Sequence, residues 1–379
     1  MSDATGAKLI SERSNRYLAL DGLRGVAALM IVFVHMPWND WMLSSFTGGF
    51  IDKRVTGCLA IGVDLFFVLS GFLITSILMK SIGDKKYYYN FYGRRVLRIF
   101  PLYYSAIAGF AMICYFLPQL LPSYKVERFY LTWPWLVLYL GNVYQMIILG
   151  ANMTFVHFWS LAIEEHFYMV WPFLVKQFSR VLPRVIIFAI ILCVFTRLVI
   201  WVYFRQQSEI WNHVFTISRA DSLVLGGLLA YLYIRNHSII GVGYRFWYLS
   251  YILIFVMAFI QSKIYGPGTF FYDVFGYTLY AVGFSGVILH LLKNDKSVLS
   301  IFLSWKPIVY VGSISYSLYV FHFPINSQLA NYESRCQGSV PKTIGLTLIA
   351  LIISLLVSSL SYHFYESIFL RMKDKWFSK

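Results

Sequence analysis

The sequence predicts an all-α fold, a polytopic bundle of transmembrane helices. Hydrophobic residues make up 59% of the 379 residues and charged residues only 13%, about half the charged share of a soluble globular domain. Apolar runs of about 20 residues, long enough to cross a bilayer as a helix, recur along the chain. The Lys and Arg residues behind the net charge of +15 stand in short clusters between these runs. That pattern is typical of membrane loops and not of a nucleic-acid-binding surface.

Ten apolar segments predict spanning helices. They cover residues 17–37, 56–79, 99–121, 156–175, 185–204, 220–234, 247–262, 273–292, 307–323 and 343–363. The first is longer than the apolar core of a signal peptide and has no cleavage site, so we expect it to be retained. An eleventh stretch, 133–149, is short and contains Pro134, and we interpret it as re-entrant or interfacial. No repeat or linker divides the chain, so we expect a single domain over 1–379.

The distribution of basic residues predicts that both termini are cytoplasmic. If segment 133–149 does not span, 22 Lys and Arg residues fall on the cytoplasmic side and nine on the far side. Cytoplasmic loops carry such an excess. If the segment did span, every later loop would invert and the bias would be much weaker. We therefore expect a multi-pass plasma-membrane protein, in the inner membrane if the source is bacterial.

The first predicted helix carries two polar residues on one face. Arg24 and His35 are eleven residues apart, close to three turns and about 16 Å along the axis. An anion held by Arg24 would lie in line with His35, and histidine is the usual general base. From spacing alone, Arg24 as a snorkelling anchor and His35 as an interfacial histidine are equally open.

A second basic group follows the second helix. Arg94 and Arg98 are spaced i, i+4, so we expect them to share a helix face and Arg95 to point elsewhere. Two guanidinium groups on one face suit phosphates, which acyl-CoA presents. Ordinary enrichment of basic residues in cytoplasmic loops is the alternative.

Acidic residues within apolar helices are the next candidates, because a charge there costs about 2.5–3.5 kcal/mol on insertion scales. Asp64 needs a partner, and we expect it to orient His35 or to pair with an arginine. Glu165 is a candidate for acceptor binding, whereas Glu164 fits a capping or interfacial carboxylate. Ser70 and Gly71 fit close helix packing.

Polar residues near predicted outer helix ends form a third group. Arg219 and Asp221 are expected at the outer mouth of one helix, and His322 lies just before Pro324 near the end of another. They suit an acceptor site or a structural polar network. The four cysteines form no zinc pattern, and no Walker A, HExxH or GxSxG motif is present. We expect no metal and no tightly bound cofactor.

Six segments, in order along nearly the whole chain, resemble the acyltransferase-3 family of integral membrane O-acyltransferases, which includes bacterial O-antigen and exopolysaccharide acetylases. They read LDGLRGVAALMIVFVH, GVDLFFVLSGFLIT, YGRRVLRIFPLYY, WSLAIEEHFY, SRADSLVLGG and ISYSLYVFHFPI. The resemblance implies a ten-helix core that takes an acyl group, with acetyl favoured, from cytoplasmic acyl-CoA. The group is delivered to a hydroxyl of an extracytoplasmic or lipid-linked glycan.

The resemblance also implies roles for residues. The arginine-x10-histidine pattern falls on Arg24 and His35, and the arginine-x3-arginine pattern on Arg94 and Arg98. The acidic position of helix two falls on Asp64, and Glu165 belongs to the WSL motif. The chain departs from the family pattern at His166, at Phe321 and after Glu366. Some relatives carry a C-terminal soluble esterase-like domain, which we expect to be absent here.

We therefore expect Arg24, Arg94 and Arg98 to hold acyl-CoA. His35 would remove the acceptor proton or carry the acyl group itself, and Asp64 or Glu165 would orient His35. Two other functions are open. A secondary transporter or flippase for a sugar-containing substrate would use the same buried residues as a proton relay, although only one broken segment is evident where paired ones are typical. The second alternative is a non-enzymatic glycan-binding or scaffold protein.

Overall fold

The structure is a computed structural model that describes residues 2–36, 57–148, 153–235, 244–263, 268–329 and 339–377. It is 88% helical and has no strand within these ranges. The α-helices are α1 Ser2–Val34, α2 Gly62–Lys80, α3 Tyr87–Phe116, α4 Ser123–Val137, α5 Gly141–Ile148, α6 Trp159–Gln177, α7 Leu182–Tyr203, α8 Ser208–Val214, α9 Thr216–Ile234, α10 Tyr244–Lys263, α11 Tyr277–Lys293, α12 Val298–Leu303, α13 Lys306–Ser313, α14 Ser315–Leu329, α15 Val340–Leu360 and α16 Ser367–Trp376.

Within the described ranges, six helices are long and apolar enough to cross a membrane. They are Cys58–Lys80, Tyr87–Phe116, Leu182–Tyr203, Thr216–Ile234, Tyr272–Lys293 and Pro341–Trp376. The pair α13 and α14 makes a seventh if it is one span, but it is bent by 73°. The prediction of a helical membrane bundle is confirmed. The six or seven candidate spans among the described residues are fewer than the predicted ten.

The predicted segment 133–149 is not one helix. It covers the end of α4 and all of α5, which are separated at residues 138–140. Tyr139 lies in this break with a φ of 55°, a left-handed conformation that costs energy for a side chain with a Cβ. Pro134 lies within α4, which continues for three more residues before the break.

The bundle is centred on α2, α9 and α11, which are mostly buried, whereas α3, α7 and α15 have a much smaller share of buried residues. Glycines let α2 and α9 approach closely. A Cβ atom on Gly71 would lie 1.8 Å from the carbonyl oxygen of Leu223, and one on Gly226 would lie 2.0 Å from that of Val68. Small residues at such crossings allow backbone contact between membrane helices. The packing interpretation of Gly71 is confirmed.

Alanine at Gly71 is expected to destabilise the protein by about 1–3 kcal/mol, the usual cost of overpacking. Thermal unfolding of the purified protein in detergent measures the effect. Gly109→Ala is the matched control, because a Cβ there meets no atom within 4 Å and alanine favours a helix. Equal melting temperatures for the two variants would contradict the prediction.

Candidate active site

A cavity of about 320 Å³ enters the bundle between α1, α2, α3, α6 and α14. Arg24, Arg95 and Arg98 line one part of it, and Ile31, Ser160 and Tyr319 also line it. Because Ile31 follows Arg24 on α1 by about two turns, the cavity extends along this helix by roughly 10 Å. It is therefore an elongated site with a group of arginines on its wall.

The arginines give this cavity an excess of positive charge. Arg24 makes a 3.4 Å ion pair with Asp21. The Arg95 guanidinium lies 5.0 Å from the ring centre of Tyr168. Neither Arg95 nor Arg98 has an ion-pair partner among the described residues. Guanidinium groups with unused donors suit a phosphate-bearing ligand.

Arg94 does not line this cavity. Its Nη2 lies 2.9 Å from Asp374 Oδ1 and its Nη1 donates to the Phe377 carbonyl over 2.8 Å, both at the C-terminal end of the chain. The expectation that Arg94 shares the functional face and that Arg95 points elsewhere is therefore wrong. Residues spaced i, i+3 are also neighbours on a helix, and α16 packs on the side of α3 that carries Arg94.

Glu164, and not Glu165, faces the arginine cavity. Tyr168 donates to Glu164 Oε2 over 3.0 Å, and the Tyr168 and Ser70 hydroxyls are 2.6 Å apart. All three side chains line the cavity. The interpretation of Glu164 as a capping or interfacial carboxylate is wrong, because it lies in the second turn of α6 and inside the bundle. Glu165 lines a separate cavity.

Three histidines lie together beyond Tyr319. His35 follows the end of α1, His157 precedes α6, and His322 lies within α14. The nitrogens His35 Nδ1 and His322 Nε2 are 3.2 Å apart, and the ring centres of His157 and His322 are 5.2 Å apart. The sequence interpretation did not single out His157. The sequence feature that could have indicated a role for His157 is its position two residues before Trp159, where the WSL motif begins.

Hydrogen bonds fix the tautomers of two of these rings. His322 Nδ1 lies 2.8 Å from the Tyr319 carbonyl and 3.1 Å from that of Leu318. A carbonyl only accepts, so Nδ1 carries the hydrogen and Nε2 of the neutral ring accepts. His35 Nδ1 therefore donates to His322 Nε2 and, over 2.9 Å, to the Ile31 carbonyl. This assignment leaves a lone pair on His35 Nε2, the atom a base or nucleophile needs.

Tyr319 joins the cavity to the histidines. Its hydroxyl donates to the His157 carbonyl and contacts the Ser160 hydroxyl, and its ring centre is 5.7 Å from that of His322. Tyr319 and Ser160 line the cavity, whereas His35 itself does not. One layer of side chains thus separates the cavity from the histidine cluster.

Asp64 belongs to a buried ionic network and not to the histidine cluster. Arg219 Nη2 is 3.0 Å from Asp64 Oδ1, and Ser222 donates to the same oxygen over 3.1 Å. Of the two expected partners for Asp64, the structure shows the arginine. The expectation that Asp64 contacts His35 is wrong.

A second buried pair adjoins the first on α9. Arg197 Nη1 is 2.8 Å from Asp221 Oδ2, and Thr278 donates to that oxygen over 2.5 Å. Arg219 is 1% exposed and Asp221 is 0% exposed, and both lie in the first two turns of α9. Of the two roles expected for them, the structure shows the structural polar network. His322, grouped with them by sequence, lies instead beside His35.

Comparison with known proteins adds a family match. A family model described as "Acyltransferase domain" matches residues 17–363. The O-acetyltransferase OatA of Staphylococcus aureus, in strains COL and MW2, is 29% identical over 381 aligned positions, which cover 93% of this chain and 57% of OatA. The chain thus spans 57% of the length of the curated relatives it matches. No solved structure matches the chain.

Proposed function

The chain belongs to the acyltransferase-3 family, and from this premise we propose that it is a membrane O-acyltransferase that transfers an acyl group, preferably acetyl, from cytoplasmic acyl-CoA to a hydroxyl of an extracytoplasmic or lipid-linked glycan. The observation that carries this proposal is the elongated cavity, because it joins three arginines, two of them without an ion-pair partner among the described residues, to the side chains that contact the histidine cluster. The site thus combines a phosphate-binding surface with a base.

The donor occupies the arginine cavity in this proposal. Arg24, Arg95 and Arg98 hold the CoA phosphates, since charge-assisted bonds from guanidinium groups are the strong ones in phosphate recognition. The pantetheine arm passes Ser70, Glu164 and Tyr168, whose polar atoms suit its amides. The thioester then reaches the Tyr319 end. Arg94 takes no part in binding here, because the C-terminal segment occupies its donors.

His35 performs the proton transfer. Its Nε2 accepts the proton of the acceptor hydroxyl as that oxygen attacks the thioester carbonyl. The resulting tetrahedral intermediate collapses with cleavage of the C–S bond, and the CoA thiolate leaves with the proton from His35. If Nε2 attacks first, the C–S bond breaks, CoA leaves as the thiolate and an acyl-histidine forms. The acceptor hydroxyl then attacks the acyl carbon, the C–N bond to Nε2 breaks, and the freed ring takes the hydroxyl proton and passes it to the thiolate. In both routes His322 holds the ring in the tautomer that exposes Nε2.

The membrane topology is part of the proposal. We propose ten spans, a re-entrant segment at 133–149 and cytoplasmic termini. In this topology Arg24 and Arg98 lie toward the inner face of the plasma membrane, which is the inner membrane if the source is bacterial. The basic-residue bias supports this orientation. Acyl-CoA would then bind from the cytoplasm and the acceptor would approach the histidines from the other side.

Transport of a sugar-containing substrate is the second candidate. The described residues contain two broken helical segments, α4 with α5 and α13 with α14, whereas the sequence indicated one. Broken helices in corresponding positions of two halves are typical of secondary transporters. Uptake or flipping of a sugar substrate by vesicles without consumption of acyl-CoA would favour transport over acyl transfer.

Replacing Arg98 with alanine is expected to raise the KM for acetyl-CoA by about 10–100-fold. This corresponds to the loss of about 1.5–3 kcal/mol, the contribution of a hydrogen bond between charged groups. The measurement follows radiolabel from acetyl-CoA to glycan in membranes that contain the protein. Arg94→Ala is the matched control, and its KM for acetyl-CoA is expected to stay near that of the unaltered protein.

The same assay tests the proposed function. Label in a glycan, or on the protein itself, that requires this chain supports acyl transfer. Label that is independent of the chain contradicts it. Equal KM increases for Arg94→Ala and Arg98→Ala would contradict the assignment of the cavity to the donor.

A further inference from the structure

A second cavity lies on the opposite side of Arg95 and Tyr168 from the first. Its volume is about 440 Å³, within the range of about 300–1,000 Å³ in which proteins hold small ligands. It is bounded by α3, by the break between α4 and α5, and by α6. Arg95 and Tyr168 are the residues that line both cavities. Apart from these two shared residues, the cavity has no part in the donor site proposed above, and the five N–H donors of a guanidinium let Arg95 serve both cavities.

The inner part of this second cavity contains an unsatisfied carboxyl group. Glu165 lines the cavity and is 9% exposed, and its Oε1 has no hydrogen-bond partner among the described residues. A buried carboxyl oxygen without a donor is costly and unusual in a folded protein. Arg95, which has no ion-pair partner there, stands on the same wall. The cavity thus offers one free acceptor and free guanidinium donors.

The mouth of the second cavity is apolar and exposed. Leu138 is 66% exposed, Met169 is 67% exposed and Val96 is 41% exposed, and all three line the cavity. Exposed apolar side chains on a membrane bundle contact acyl chains. Tyr139, with its left-handed backbone, forms the adjoining wall. We therefore expect the opening to face the bilayer, and the polar groups of the largely apolar interior include those of Arg95, Glu165 and His166.

We propose that the second cavity binds, from the bilayer, the head of a lipid that carries free hydroxyl groups beside a phosphate. A hydroxyl donates to Glu165 Oε1, the phosphate accepts from Arg95, and the lipid chain leaves between Leu138 and Met169. Phosphatidylglycerol and polyprenyl-phosphate-linked sugars share this chemistry. A polyprenyl-phosphate-linked sugar would be the lipid-linked acceptor, so this arm rests on the proposed function, whereas binding of phosphatidylglycerol does not.

Photocrosslinking tests the site. The full chain is reconstituted in phosphatidylcholine vesicles with a photoactivatable phosphatidylglycerol in one arm and a photoactivatable polyprenyl-phosphate-linked sugar in another. Labelled peptides are mapped by mass spectrometry. We expect labelling of the segments around Leu138 and Met169 in at least one arm, and the arm that labels identifies the source of the head.

Two variants and one control make the result specific. Glu165→Leu removes the acceptor, and Met169→Trp fills the mouth. Each is expected to lower labelling by about tenfold, Glu165→Leu through the loss of one hydrogen bond to a charged group and Met169→Trp by blocking entry of the lipid. Val170→Trp is the control, because Val170 is 55% exposed on the same helix and lines neither cavity.

Photoactivatable phosphatidylcholine, which has a phosphate and no free hydroxyl, completes the comparison. Equal labelling of the site by this lipid would overturn the proposal, as would labelling that neither Glu165→Leu nor Met169→Trp reduces. If Glu165→Leu does not fold, the comparison of Met169→Trp with Val170→Trp decides alone, because neither change removes a polar group.

Discussion

Alanine at His35 is expected to lower acyl transfer by about 10²–10⁴-fold, the usual contribution of a general base. His35 Nδ1 is committed to the Ile31 carbonyl and His322, which leaves Nε2 as the free basic atom. His157 and His322 are 3% and 0% exposed and do not line the donor cavity, so we expect neither ring to replace it. The affinity for acetyl-CoA is expected to be unchanged, because His35 does not line the donor cavity.

Radiolabelled acetyl-CoA supplied to membranes with the unaltered protein or the variant measures this loss. His363→Ala is the matched control, since His363 is exposed and lies against Tyr310. Transfer by His35→Ala close to that of His363→Ala would remove His35 from the chemistry. Label that accumulates on the unaltered protein, and disappears with His35→Ala, would favour the acyl-histidine route over direct proton removal.

Sequence reasoning came closest to the structure for residues on, or just beyond the end of, a single helix. Arg24 and His35 were expected in line because eleven residues are close to three turns, and the structure has Arg24 on the cavity and His35 in the cluster just beyond the end of that helix. The packing role of Gly71 could also be predicted, because a glycine in an apolar membrane helix favours close packing. Such inferences need only the period of the helix.

The helix period could not identify contacts between side chains that are distant in the sequence. On α3, spacings of three and four both place arginines side by side, so the period allows Arg95 or Arg94 beside Arg98. The choice depends on Asp374, 280 residues from Arg94. Likewise Asp64 meets Arg219 only because α2 and α9 cross at their glycines. His157 precedes its helix, where no period applies.

Removing either member of the Asp64–Arg219 pair is expected to cost about 3–5 kcal/mol of stability, because the other charge is left buried and unpaired. Arg219 is 1% exposed, and its Nε and Nη1 already lack partners among the described residues. Asp64→Ala is therefore expected to reduce the yield of folded protein and its melting temperature in detergent. Asp374→Ala is the control, because its half-exposed pair with Arg94 is expected to contribute less than about 1 kcal/mol.

The double variant Asp64→Leu, Arg219→Met separates structure from chemistry. Replacing a buried ion pair with apolar side chains of similar size is often neutral or stabilising, so the double variant is expected to fold better than either single variant. Because Asp64 does not contact His35 in the structure, acyl transfer is expected to return with folding. A double variant that folds, binds acetyl-CoA and yet transfers nothing would contradict a purely structural role for the pair, and would place the charge of Asp64 or Arg219 in the reaction.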